Sequence, residues 1–262
     1  MADIGSDVVG FEMIDDHIAL VTLRRPEARN AINGAATRAM RQIVDKVEKD
    51  PDIWVAILTG EGGKAFCAGA DLKEVSAGGM NDLIDPVGGF AAFVHADRAK
   101  AWIAAVDGVA MAGGFELALA CDLIVASEDA RFALPEVKRG LVAAAGGIYR
   151  LPRALPRAIA LELVATGEAL PASRALEMGL INRMVPKADI FDAALALARQ
   201  ICENAPVAVR ESLKVARLAF DRTDSDLNQL SLRAQAVIMT TDDFAEGPRA
   251  FIEKRPPIWV GH

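Results

Sequence analysis

Two glutamates, Glu116 and Glu136, stand twenty residues apart, each in its own frame: Asp107-Gly-Val-Ala-Met-Ala-Gly-Gly-Phe-Glu116 and Phe132-Ala-Leu-Pro-Glu136. Two carboxyl groups in one pocket can serve as acid and base when burial and neighbours set their protonation. Gly113 and Gly114 fit poorly inside a helix, whereas 116–121 reads as helical, so a helix is expected to begin at about Glu116. A helix N-terminus presents backbone N–H groups with no intrahelical partner, and these suit an oxyanion. Glycine at that point lets a carbonyl approach the main chain closely. Donors for a developing negative charge beside two carboxyl groups describe proton chemistry at a carbon next to a carbonyl.

Each feature has a plainer reading. A Gly-Gly pair often only ends a turn, and Glu136 has Arg131, Lys138 and Arg139 near in sequence as ion-pair partners. Against this, Glu136 follows the strand-like run 130–133, and a carboxylate at a strand end can point into a cleft. Gly60, Gly62 and Ala65 superficially match a dinucleotide fingerprint, but Gly69 interrupts the helix such a motif needs. A phosphate loop is excluded because Leu58 and Ala65 replace its glycine and its serine or threonine. A backbone-lined loop ending near Ala70, with N–H groups turned to a ligand, fits better. His17, His95 and His262 are isolated, which argues against a metal site or a nucleophile–histidine triad. Cys67 has no histidine near it and reads as a small buried thiol.

The rest of the composition narrows the class. A net charge of −7 without a basic stripe excludes nucleic acid as a natural partner. Three scattered cysteines form neither a disulfide framework nor a metal pattern and fit a reducing compartment. The acidic opening Met-Ala-Asp-Ile-Gly-Ser-Asp7 shows no targeting signature, and the longest apolar stretch, 101–115, is too short to span a bilayer. A cytoplasmic protein without membrane contact is the expectation.

Apolar runs at 18–23 and 53–58 read as buried strands, with a helix between them carried by Ala36, Met40, Ile43, Val44 and Val47 and stopped at Asp50-Pro51. Strands are expected again at 103–106, 123–126 and 181–185, and a helix at 189–203. This alternation predicts an α/β domain over 1–205. Residues 206–262 carry three helical patterns and no strand, and form a helical region suited to subunit contacts. The glycine-rich segment 75–98 reads as a mobile loop over a site or a surface excursion.

Taken together, these residues resemble the crotonase, or enoyl-CoA hydratase/isomerase, superfamily. The likeness rests on Arg25-Pro-Glu-Ala-Arg-Asn-Ala-Ile32, on Ala65-Phe-Cys-Ala-Gly-Ala-Asp-Leu-Lys-Glu74, and on 103–116 continuing to Glu136 and Gly146-Gly147. The closing Asp243-Phe-Ala-Glu-Gly-Pro-Arg-Ala-Phe-Ile-Glu-Lys-Arg255 completes it, so the likeness covers nearly the whole chain. It implies a spiral of repeated ββα units with a C-terminal helical trimerisation region, assembled as a homotrimer or a dimer of trimers. It implies an oxyanion hole from the backbone N–H groups of Ala70 and Gly113, with Glu116 and Glu136 as the catalytic carboxylates. It places coenzyme A, as part of an acyl-CoA substrate and not as a separate cofactor, against Ala28, Ala68, Asp71 and Leu72. Phe251 and Lys254 match residues that reach coenzyme A from a neighbouring subunit.

Two departures matter. A lysine that holds coenzyme A in some relatives is Glu27 here, with Arg29 the nearest replacement. Ala143-Ala-Ala145 stands where relatives with other chemistries carry an aspartate. The implied activity is syn hydration of a trans-2-enoyl-CoA to a 3-hydroxyacyl-CoA, as in fatty acid metabolism. The alternatives are enoyl-CoA isomerisation, dehydration like that of carnitinyl-CoA dehydratases, whose C-terminus Glu253-Lys-Arg-Pro-Pro-Ile-Trp259 resembles, and acyl-CoA binding without catalysis.

Overall fold

The computed structural model describes residues 6–262; part of the acidic opening segment, 1–5, lies outside them. Six strands form the main sheet: β1 (Val9–Asp15), β2 (Ile18–Leu23), β3 (Val55–Gly60), β7 (Ala101–Val106), β9 (Leu123–Ser127) and β12 (Arg183–Val185), adjacent in that order. Only β1 and β2 pair antiparallel; the remaining neighbours are parallel. A second sheet runs β11 (Leu170–Pro171), β10 (Arg131–Ala133), β8 (Val109–Met111) and β4 (Ala65–Cys67), with a short hairpin of β5 (Ile84–Asp85) and β6 (Gly89–Phe90) apart.

The chain alternates between the two sheets and then enters a helix. β3 in the large sheet leads to β4 in the small one and to α2 (Leu72–Ser76); β7 leads likewise to β8 and α3 (Gly113–Ala120). A third turn runs through β9 and β10 into a 3-10 turn, Pro135–Arg139. This is the expected spiral of ββα units.

The period-two pattern explains why the central strands read as continuous apolar runs. Ala56 and Leu58 of β3 and Trp102, Ala104 and Val106 of β7 face a core shared with α1 (Gly34–Lys49). Their alternates Val55, Ile57, Ile103 and Ala105 face a second core under α7 (Ile190–Cys202). The remaining helices are α4 (Gly147–Ala154), α5 (Arg157–Thr166), α6 (Ala172–Glu177), α8 (Pro206–Ala216), α9 (Asp224–Ile238) and α10 (Asp242–Glu253). Residues 206–262 leave Phe220, Leu232, Phe251, Ile252 and Ile258 exposed. No helix among the described residues is long and apolar enough to cross a membrane.

Three local expectations change. The segment 75–98 is neither a loose loop nor an excursion, because Leu83, Phe90, Phe93 and Val94 are buried and draw it into the main core. Helix α3 begins at Gly113, so the glycines form its first turn, where small residues are tolerated and donors face outward. Glu136 sits in a 3-10 turn after β10, not at the strand end itself.

One buried cation is structural. Lys100 points its Nζ at the carbonyl oxygens of Val47 and Asp50 at the C-terminal end of α1, and burial pulls its pKa down to about 8. Lys100→Met removes those donors and is expected to cost about 1–3 kcal/mol. A lowered urea midpoint with an unchanged m-value checks this, and an unchanged midpoint refutes it.

Candidate active site

The site begins with a close approach of two backbone segments. A Cβ on Gly114 would overlap the carbonyl oxygen of Cys67, so only glycine lets β4 lie against the start of α3. Ala112 bends the chain between β8 and α3 with φ 53° and ψ −128°, a left-hand excursion uncommon for a residue with a Cβ. Its N–H donates to Ala133 O at 2.9 Å, which fixes the bend against β10. The N–H groups of Phe115 and Glu116 both turn back to Ala112 O, and Gly113, as the first helical residue, has no carbonyl behind it.

The second donor arises from strand register. Ile32 bridges Ala70 in parallel fashion: Ile32 N–H donates to Gly69 O at 2.8 Å, and Asp71 N–H donates to Ile32 O at 2.8 Å. A parallel bridge uses the residues on either side of Ala70, so the N–H of Ala70 faces the opposite way. That way lies the cavity, lined by Ala70 and Gly113. Gly69, with φ 93°, has its missing Cβ position 3.0 Å from Gly113 N, which shows how near the two segments run.

Both glutamates line the same cavity of about 1070 Å3. Glu116 is 3% exposed and accepts Gly147 N–H at 2.8 Å, a donor supplied by the first residue of α4. Burial pushes its pKa up to about 7; the Gly147 bond works against that rise and the charge of Glu136 adds to it. Glu136 is 9% exposed, its Oε2 has no partner, and burial raises its pKa as well. The ion pair offered by sequence neighbours does not form: Lys138 is engaged by Glu168 at 2.7 Å. Buried carboxyls with raised pKa and no ion pair are suited to moving protons.

The cavity is also lined by Ala28, Ala68, Asp71 and Leu72. Phe251 and Lys254 do not line it; they lie on α10 and at its C-cap, with Phe251 84% exposed. Phe90, expected from the sequence to fold over the pocket, packs over Gly113, whereas sequence reasoning missed Arg25, which pairs with Asp71 at 2.8 Å across 46 positions. It also missed His95 and Arg139 on the cavity wall. Only Arg25, inside the quoted Arg25–Ile32 run, carried a signal that could have been followed. Cys67 is fully buried, and desolvation pushes its pKa up to about 12, so it is an inert thiol. Among the described residues no three potential ligands group to hold a metal ion.

The spiral of ββα units is the fold of the crotonase superfamily. Residues 13–262 match the family described as enoyl-CoA hydratase/isomerase, and the chain belongs to it. It is 42% identical to carnitinyl-CoA dehydratase of Salmonella arizonae over 247 residues, covering 92% of this chain and 94% of that protein. The crystal structure of enoyl-CoA hydratase from Mycobacterium tuberculosis H37Rv superposes with a TM-score of 0.93 at 42% identity, covering 98% of this chain and 100% of that one. Carnitinyl-CoA hydratase from Mycobacterium avium gives a TM-score of 0.77 at 44% identity, with coverage of 98% and 100%.

The raised pKa of Glu116 has a stability consequence. Its carboxyl is protonated in both folded and unfolded chains below its ordinary value of 4.5, and deprotonates more readily when unfolded between 4.5 and about 7. Folding is therefore penalised increasingly over that interval and fully above it. Glu116→Gln keeps an acceptor for Gly147 N–H and is expected to raise the thermal midpoint at pH 8 while matching the parent protein near pH 4.5. An equal offset at both pH values would show that burial does not penalise this carboxylate.

Proposed function

We propose that the protein adds water reversibly, in syn fashion, across the α,β double bond of an enoyl-CoA thioester. The observation that carries this is the meeting of Glu116 and Glu136, both buried and without a cation, in a cavity onto which Ala70 and Gly113 turn N–H groups. Water held between the carboxyls gives its oxygen to the β carbon as the π electrons move toward the thioester oxygen. That developing charge is met by the N–H groups of Ala70 and Gly113. Glu136, whose pKa is raised by burial, delivers a proton to the α carbon, Glu116 takes the proton released by the water, and exchange of that proton between the two carboxyls or with solvent restores the starting state. The sum is one water per double bond, with no redox change.

Coenzyme A arrives as part of the substrate, and no separate cofactor is needed. Its carrier end is assigned to Ala28, Ala68, Asp71 and Leu72, with Arg29 as the cation where Glu27 replaces a lysine. Phe251 and Lys254 are assigned to a neighbouring subunit's site. The exposed apolar side chains of residues 206–262 support subunit contacts, which we assign to a homotrimer or dimer of trimers. A second reading, dehydration of a polar acyl-CoA, is favoured by the likeness to carnitinyl-CoA dehydratases; it uses the same groups in reverse.

Purified protein is expected to bleach the enoyl-thioester absorbance of crotonyl-CoA and to form a product heavier by one water. Glu136→Gln should lower kcat by roughly 10²–10⁴ while leaving the fold intact. Turnover unchanged in this variant would remove the central assignment, and a product of unchanged mass would indicate isomerisation instead.

A further inference from the structure

On the reading that Glu116 takes a proton from water, its carboxylate must be held in one place, and the start of α4 supplies the means. Gly147 N–H donates to Glu116 Oε1 at 2.8 Å, and the main chain of Ala145 also favours the charged carboxylate. The turn 145–147 is thus a cradle for this acid. Gly146 within it has φ 115°, and a Cβ there would overlap Arg150 Nη1, so the guanidinium lies directly against the backbone of the turn.

From that place Arg150 ties two segments far apart in sequence. Nη1 donates to Ala145 O at 3.0 Å, and Nη2 donates to Val94 O, 56 positions away. Tyr149 OH adds a second tie, meeting His95 Nε2 at 3.0 Å. The tied segment is strained: Ala91 and Ala92 have φ 55° and 53°, left-handed backbone that residues with a Cβ avoid. It also carries Phe90, which packs over Gly113. A closed ring results. Glu116 is held by the 145–147 turn, the turn by Arg150, and Arg150 by Val94; Phe90 then meets Gly113, from which α3 leads back to Glu116. Arg150 does not line the cavity, and its guanidinium bonds go to backbone carbonyls, so neither substrate contact nor an ion pair accounts for it.

We infer that Arg150 is a positioning residue for the hydration, bridging Ala145 and Val94 so that the Glu116 carboxylate stays fixed relative to the N–H donor of Gly113. Arginine suits the task because its planar fork directs separate donors at two carbonyls, whereas an ammonium is a single point. The charge acts on Glu116 as well. Burial is the main influence there and raises the pKa; Glu136, from the 3-10 turn at 135–139, adds to the rise, and Arg150, from α4, opposes it.

Arg150→Met keeps the apolar stem and removes both donors, so kcat for crotonyl-CoA should fall roughly 10–100-fold with KM little changed. The acidic limb of its kcat–pH profile should move to higher pH, because Glu116 then ionises less readily. Arg150→Lys keeps the charge and should restore the position of that limb, but only part of kcat. Arg153→Met, which breaks an exposed pair with Asp221 from the same helix, should leave kcat as in the parent. Repeating Arg150→Met in a Glu116→Gln background separates positioning from folding: with the carboxylate gone, kcat should fall little further. Where Arg150→Met does not fold, Arg150→Lys carries the same cycle. Equal losses in both backgrounds, or a parent-like kcat in Arg150→Met, overturn the inference while leaving the hydratase reading intact. No turnover of crotonyl-CoA by the parent protein removes that reading and this inference with it.

Discussion

The site depends on one backbone contact, the approach of the Cys67 carbonyl to the position where Gly114 lacks a side chain. Any Cβ there would push β4 away from α3 and separate the Ala70 segment from Gly113. The fold holds this contact at some cost. Ala112 occupies a conformation that L-residues with a Cβ avoid, and its N–H bond to Ala133 helps to hold it there. Phe90 then closes over Gly113, so small residues on one side of the seam and an aromatic ring on the other leave little freedom for the two segments to drift.

A second tension lies in the carboxyls. Burying Glu116 and Glu136 without a cation opposes folding, yet several cations stand close by. Each of the nearest is engaged or held back: Lys138 by Glu168, Arg25 by Asp71, and Arg150 by two backbone carbonyls. Arg139, which forms no ion pair among the described residues, lowers the pKa of Glu136 only as a minor opposing influence. Diverting guanidinium and ammonium groups to other acceptors leaves burial to raise the pKa of both acids, to about 7 at Glu116, which suits proton exchange.

Much of this was legible because local chemistry demanded it. The buried strands announced themselves as apolar runs, α1 through its spacing, and the two glutamates through glycine and proline frames that only a tight turn requires. Tertiary pairings were not legible. Arg25 and Asp71 meet across 46 positions, and His95 and Tyr149 across 54, with no periodicity to mark either pair. The segment 75–98 misled because its glycines suggest looseness, whereas its buried apolar residues, Leu83 and the run 90–94, decide its packing. The start of α3 was placed three residues late for a related reason: propensity counts against Gly113 and Gly114, but the tight seam requires them.

The repeated unit explains why these groups converge at all. β4, β8 and β10 are parallel and adjacent in the small sheet, so their C-terminal ends lie side by side. Ala70 follows the first by three residues, Gly113 the second by two, and Glu136 the third by three. Each group therefore sits at the same point of its own unit, where the chain leaves the second strand and turns toward a helix or helical turn. Such a point combines free main-chain donors with a bend that aims them outward. Stacking three copies converts one local property into a cluster of two donors and an acid, and Glu116, one turn into α3, adds the second acid from within the middle unit. Long-range geometry here is the register of a spiral, which is why a site assembled from distant residues can be built from short motifs.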